Sequence, residues 1–324
     1  MKRSSDYSFC VPTEEAFPEA MSGISEELAR YRQEGTFSGF DGQSLYYEYF
    51  LAPDSRGAVV ILHGLSEFTG KYHEFAWYLL NQGYDVFLYD QRCHGRSCRL
   101  TGRQNVIHVD RFDDYQKDLD LFLRDIVRNQ TRGPLYLYAH SMGGAVAIQY
   151  LAAHPGVFQK AVLSAPMIEP LTGSVPPWVA RTGLQVCLLF GVGKKKFFLS
   201  DEFDPEDPFS RSHDKSQARF QRNMDLRLAN PCYQTTPLSM RWVHQSLVLR
   251  RKLLNKAFLQ KLQTPILMIC ADRDGVVNEQ AQLQFSEKCP VCQRVAIPDS
   301  THSMLCGIRE TVEAHVGLVL DYFC

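Results

Sequence analysis

Residues 138–155, YAHSMGGAVAIQYLAAHP, place Ser141 between strand-forming residues and an alanine-rich helical stretch, with Gly143 and Gly144 just behind it. A serine hydroxyl is a weak nucleophile near neutral pH. It does covalent chemistry when a neighbouring base takes its proton and an acid orients that base. A strand ending at His140 and a helix starting at Met142 force the serine into a sharp, unfavourable turn, which pushes its side chain out at the carboxyl end of a sheet. Strand and helix then pass so close that the residues two before and two after must be small. Here they are Ala139 and Gly143. A helix N-cap serine would satisfy the same local pattern, so the meaning of Ser141 depends on its partners.

Those partners occur in the chain order serine, acid, histidine that this topology requires. LMICADRDGVVN ends a strand with Asp272 and Asp274, and AIPDSTHSM puts His302 in the last loop before the final helix. Asp274 is the expected acid, because the turn and apolar pair GVV after it would bury the carboxylate against the next helix. Asp272 lies nearer the strand end, where it could pair with Arg273 or a neighbour. Of the ten histidines, only His302 lies in that last loop. Negative charge developing on a substrate carbonyl needs donors fixed in place. The expected pair is the backbone N–H of Met142, at a helix N-terminus, and that of Leu65 in the loop LHGLSEFTG. Glu67 in that loop either anchors it or faces water.

These groups need elements to hold them. GAVVILHG (57–64) is a continuous apolar run of the kind found in a strand buried on both faces. The expected pattern continues with a helix over 72–82, a strand over 84–90 and a helix over 111–129. A strand over 134–141, a helix over 142–153 and a strand over 160–166 follow. After a break come a strand at 264–271, a helix at 279–288, the strand QRVAI and a helix from 308 onward. Such alternation predicts an α/β fold with a mostly parallel sheet and helices on both faces. Ahead of it, GTFSGFDGQSLYYEYFLA alternates around Asp41-Gly42 as a hairpin does. Residues 1–34 read as a polar lead-in with a short helix over 24–33. The core is expected over 35–169 and 263–324, and residues 170–262 as an inserted helical cap, too rich in aliphatic and aromatic residues for a linker.

The chain has 324 residues, a net charge of -1 and 45% hydrophobic residues, which argues for a globular protein and against a nucleic-acid binder. Residues 170–262 are the exception, with 15 Lys and Arg against 7 Asp and Glu. A basic, apolar-tipped insertion suits an anionic lipid surface or a phosphate-bearing substrate, and a solvated cap with surplus lysines equally well. The N-terminus has no apolar signal core, and no apolar run approaches the roughly 18 residues of a membrane span. With ten scattered cysteines, this points to a reduced cytoplasmic setting. Cys289 and Cys292 in CPVC have metal or redox spacing, but a lone CxxC reads as two ordinary thiols.

With LHGLSEFTGKY, YDQRCHGRS, AHSMGG, ADRDGVV and STHSM in order, the chain from about Gly35 resembles α/β-hydrolases of the monoacylglycerol lipase and bacterial lysophospholipase group. Within the cap, RSHDKSQARFQRNMDLRLANP and TTPLSMRWVHQSL are similar to the bacterial inner-membrane lysophospholipases. The resemblance implies the α/β-hydrolase fold, with Ser141 as nucleophile, Asp274 as acid, His302 as base, and Leu65 and Met142 as oxyanion-hole donors. It implies hydrolysis of a lysophospholipid acyl ester, or else of a monoacylglycerol or a short-chain ester, without metal or organic cofactor. Peripheral contact with the inner membrane would follow, and WVARTGLQVCLLFG would line or gate an acyl tunnel unless it packs as core. Outside enzymes, the same chain could be a catalytically silent hydrolase-like binding protein, although the serine, acid and histidine are all present. Two positions depart from the group's pattern, Ala139 and Cys93, where glycine is usual.

Overall fold

The computed structural model describes residues 9–324. Among them, eight strands form one sheet: β1 (Arg32–Ser38), β2 (Ser44–Phe50), β3 (Ala58–Leu62), β4 (Asp85–Tyr89), β5 (Leu135–His140), β6 (Lys160–Ser164), β7 (Ile266–Ala271) and β8 (Cys292–Ile297). Their spatial order is β1-β2-β4-β3-β5-β6-β7-β8. β1 and β2 form the expected antiparallel hairpin, with Gly42 at a φ of 78° in its turn, and β2 adds antiparallel to β4. All other pairings are parallel. The apolar runs become central strands because both faces are covered, so every residue of β3, β4, β5 and β7 is buried.

Alternation within each strand sorts the core into two layers. Val60 and Leu62 face one layer, Val59 and Ile61 the other. Helices α1 (Phe17–Tyr31), α2 (His73–Asn81), α3 (Asp113–Phe122) and α4 (Met142–Ala153) flank the first half of the sheet. The segment between β6 and β7 carries α5 (Pro177–Leu189), α6 (Gln217–Ala229) and α7 (Met240–Leu253). Helices α8 (Glu279–Lys288) and α9 (Arg309–Phe323) complete the chain. α3, α4 and α8 cover the Val60 face; α1, α2 and α9 cover the Val59 face.

Two expectations need correction. The N-terminal helix was expected over 24–33 but begins at Phe17 and ends at Tyr31. Phe17, Met21, Ile24 and Leu28 are spaced by three and four and are all buried, and a proline suits the first turn. The chain becomes extended at Arg32 because β1 starts there. The other correction concerns α5, the WVARTGLQVCLLFG segment. It does not pack as core: among its apolar residues only Leu184 is buried, while Trp178 is 66%, Leu189 76% and Phe190 79% exposed.

His63, His140 and His315 are among the histidines buried inside the fold. His63 accepts the Gln91 N–H at Nε2 (2.9 Å) and so donates from Nδ1 to its neighbour Gly64 O (2.7 Å), the neutral tautomer. His315 lies 3.0 Å from the Tyr138 hydroxyl, and His140 lies 3.2 Å from Ser164 O. Burial pushes His63 and His140 down to about 4 and His315 down to about 3. The unfolded chain protonates these rings near 6.5, so between that value and about 4 it holds more protons than the folded chain. Stability is therefore expected to fall as pH drops through this window, by up to about 1.4 kcal/mol per pH unit for each ring. Urea midpoints between about pH 6.5 and pH 5 check this; a flat profile there would contradict neutral buried rings.

Candidate active site

Ser141 sits where β5 hands over to α4, with φ 49° and ψ -114°, a conformation that costs a non-glycine residue energy. Hydrogen bonds enforce it: the Ser141 N–H donates to Ser164 O (3.0 Å), and the Ser141 carbonyl accepts from Gly144 (2.9 Å) and Met167 (2.9 Å). The close passage of strand and helix is equally concrete. A Cβ on Gly143 would run into the carbonyl oxygens of Leu62 and His63, and one on Gly144 would come within 2.6 Å of Pro166 Cβ. Ala139 fits without difficulty and is fully buried. Cys93, the other departure from glycine, is buried with its φ at 62°, so a side chain is held where glycine would be unstrained.

His302 comes from the loop after β8. Its Nε2 lies 2.9 Å from Ser141 Oγ, and its Nδ1 lies 2.8 Å from Asp274 Oδ2. Asp274 stands in the loop after β7, its other oxygen accepting the N–H groups of Val276 (2.9 Å) and Val277 (3.0 Å). Burial acts to raise the Asp274 pKa, but the hydrogen bond and charge of His302, with those two amides, outweigh it and hold the carboxyl below the usual carboxylate value. An ionised Asp274 keeps the imidazole proton on Nδ1, which leaves the Nε2 lone pair facing the serine hydroxyl. Asp272 takes no part: its carboxylate accepts the Asp299 N–H at 3.3 Å.

The oxyanion loop is tied down by Glu67. Its carboxylate accepts from the Gly64 N–H (2.6 Å), the Tyr72 hydroxyl (2.5 Å) and Lys71 Nζ (2.6 Å), so it anchors the loop and does not face water. Burial would raise its pKa; the charges of Lys71 and His140 and these hydrogen bonds bring it well below the ordinary value instead. Ser66, in the turn between Leu65 and Glu67, has φ 60°. Among the described residues, the N–H groups of Leu65 and Met142 donate to no protein acceptor, and Met142 opens α4, where the first amides lack intrahelical partners.

Several residues around this centre had no local signal in the sequence. The His140 ring centre lies 4.9 Å from that of His302, and its Nε2 lies 3.8 Å from Glu67. From the segment between β6 and β7, His213 O accepts the Thr301 hydroxyl (2.6 Å), one residue before His302. α6 lies over the oxyanion loop: buried Arg219 grips Glu74 through two bonds (2.9 and 2.6 Å), Arg222 reaches Gly70 O (3.2 Å) and Arg227 reaches Ser66 O (2.5 Å). Elsewhere, Cys289 and Cys292 are free thiols, and among the described residues no group of three His, Cys, Asp or Glu side chains is placed to hold a metal ion.

A strained serine at a strand–helix corner, an imidazole within hydrogen-bond reach and a buried carboxylate behind it can carry out acyl transfer. Comparison with known proteins agrees with this reading of the fold. Residues 53–307 match the family described as serine aminopeptidase, S33. The chain is 30% identical over 277 residues to lysophospholipase L2 of Escherichia coli K12, covering 85% of this chain and 80% of that one. A soluble variant of monoglyceride lipase from Saccharomyces cerevisiae superposes with a TM-score of 0.70 at 18% identity, over 89% of this chain and 94% of that one. A carboxyl esterase from Bacillus coagulans gives 0.71 at 19% identity, over 90% and 98%. By family match, relatives and fold together, this chain belongs to the α/β-hydrolases of the monoacylglycerol lipase and bacterial lysophospholipase group.

Proposed function

We propose that this protein is a serine hydrolase that cleaves the acyl ester of a single-chain lipid, foremost a lysophospholipid. The observation that carries the proposal is the unbroken chain of contacts from Asp274 through His302 to Ser141 Oγ. In this reading His302 Nε2 takes the hydroxyl proton as Ser141 Oγ attacks the ester carbonyl. The oxygen of the tetrahedral intermediate gathers its charge against the N–H groups of Leu65 and Met142. Collapse breaks the ester bond, His302 returns the proton to the departing alcohol oxygen, and the acyl chain stays on Ser141. Water then attacks that acyl group with His302 again as base, releasing a fatty acid and restoring the serine hydroxyl. The residues supply every proton transfer, so no cofactor is required.

The lipid substrate is supported by the lysophospholipase relative that spans most of the chain and by the outer surface of the proposed cap, residues 170–262. There Trp178, Leu189, Phe190, Phe198 and Leu199 stand exposed, with Lys194, Lys195 and Lys196 between Phe190 and Phe198 in the sequence. Apolar side chains flanked by lysines suit an anionic bilayer surface. No helix among the described residues is long and apolar enough to cross a membrane; the contact proposed is a peripheral one. The aminopeptidase activity named in the family description would call for acidic groups around a free amine, whereas Arg222 and Arg227 of α6 approach the loop beside the serine. Monoacylglycerol and short-chain esters remain the alternatives within the same chemistry.

The deciding experiment compares fatty-acid release from lysophospholipid, monoacylglycerol and a short nitrophenyl ester by the purified chain, alongside sedimentation with neutral and anionic liposomes. The proposal expects lysophospholipid to give the highest kcat/KM and anionic liposomes to retain more protein. Cleavage of the short ester alone would overturn the lipid assignment, and indifference to lipid charge would remove the surface contact.

A further inference from the structure

The three arginines of α6 differ in what they meet. Arg219 has a carboxylate: Glu74 pairs with it through two bonds, and both side chains are buried. Arg222 and Arg227 are half-buried, and their hydrogen bonds go to the backbone carbonyls of Gly70 and Ser66. Among the described residues neither forms an ion pair. The nearest carboxylates have other partners. Glu67 is occupied by Lys71, the Tyr72 hydroxyl and the Gly64 N–H. Asp214 is bonded to Ser303, with Lys71 nearby. Burial of both guanidiniums lowers their pKa values, and the opposing charges of Glu74 near Arg222 and of Glu67, Asp214 and Asp207 near Arg227 do not offset it.

A half-buried guanidinium with most of its five donors unspent is poised for an oxyanion it can hold bidentately. Place matters as much as charge. Arg227 holds the carbonyl of Ser66, the residue after the Leu65 N–H, and a contact of 3.9 Å from Leu226 to the position of a Gly70 Cβ shows how closely the helix lies on this loop. In a lysophospholipid the three carbons of glycerol separate the reacting ester from the phosphate. Three carbons are short enough that, with the ester carbonyl seated between Leu65 and Met142, the phosphate stays within reach of this loop.

We infer that Arg227, with Arg222, forms the subsite for the phosphate of a lysophospholipid head group and sets the preference for it over monoacylglycerol. The inference rests on the lysophospholipase reading above and deepens it. Monoacylglycerol has no anion at this position and gains nothing from the two cations. Charge-assisted hydrogen bonds to phosphate change affinity by about ten- to a hundred-fold, which sets the size of the effect.

The test uses the purified full chain and two substrates of equal acyl length, lysophosphatidylglycerol and monoacylglycerol. The readout is the ratio of their kcat/KM values, lysophospholipid over monoacylglycerol. In the Arg222→Gln/Arg227→Gln double variant the ratio is expected to fall about ten- to a hundred-fold. Arg227→Lys, which keeps the charge and loses the fork, should fall between. Inorganic phosphate should compete with lysophosphatidylglycerol on the wild-type chain and compete less on the variant. Should the double variant fail to fold by circular dichroism, the single substitutions carry the same ratio test. A ratio unchanged in folded variants, or phosphate inhibition equal in variant and wild type, overturns the subsite. A wild-type chain that cleaves monoacylglycerol but no lysophospholipid defeats the underlying reading instead, so the two failures are distinct.

Discussion

Replacing Ser141 by alanine is expected to abolish labelling by a fluorophosphonate probe and to lower kcat for ester hydrolysis by about a million-fold. The size follows from the chemistry. Without Oγ there is no acyl-enzyme, and only the oxyanion donors and substrate binding continue to favour the transition state. The substitution removes one small atom from a buried site and leaves the backbone bonds to Ser164, Gly144 and Met167 in place. Alanine at φ 49° carries the same backbone strain as serine, so the variant should fold with an unchanged thermal midpoint. Hydrolysis persisting within a hundred-fold of wild type would place the nucleophile elsewhere.

Asp274→Asn carries the second largest effect, a fall in kcat of about ten-thousand-fold. The carboxylate accepts from His302 Nδ1 and from the Val276 and Val277 amides. An asparagine placed there keeps an oxygen for the two amides and turns its NH2 toward the imidazole. Nδ1 must then accept, the proton moves to Nε2, and the ring no longer offers a lone pair to Ser141. Asp272→Asn is the control, because among the described residues its carboxylate binds only the loop amide of Asp299 at 3.3 Å and lies outside the chain of contacts. Its kcat should stay within a few-fold of wild type. Equal losses in the two variants would mean that the carboxylates act through the fold of the loop and not through His302.

How far the sequence could lead depended on whether each feature was local. β3, β4 and β5 were readable because strands buried on both faces appear as unbroken apolar runs, and α4 because it starts at the residue after the corner serine. The positions of Ser141, Asp274 and His302 followed from the order in which a parallel sheet presents its loops. Features that depend on distant partners were not readable. The fate of Glu67 turns on Lys71 and Tyr72 closing over it, and its charge alone could not separate an anchor from a solvated group. Arg219 and Glu74 are 145 residues apart, and no periodicity links them. Helix α5 shows the converse limit: its aliphatic and aromatic residues were plain in the sequence, but composition does not tell whether such residues face a core, a tunnel or the outside.

The central claim is that one imidazole joins a hydroxyl and a carboxylate from three separate loops, and that the hydroxyl becomes acylated. The most direct measurement is mass spectrometry of the intact protein quenched during turnover of a slowly hydrolysed ester, with the modified peptide then sequenced. The account predicts a single added acyl group, carried on Ser141 and lost on further incubation. An acyl group found on another residue, or steady fatty-acid release with no covalent adduct even under rapid quench, would contradict it.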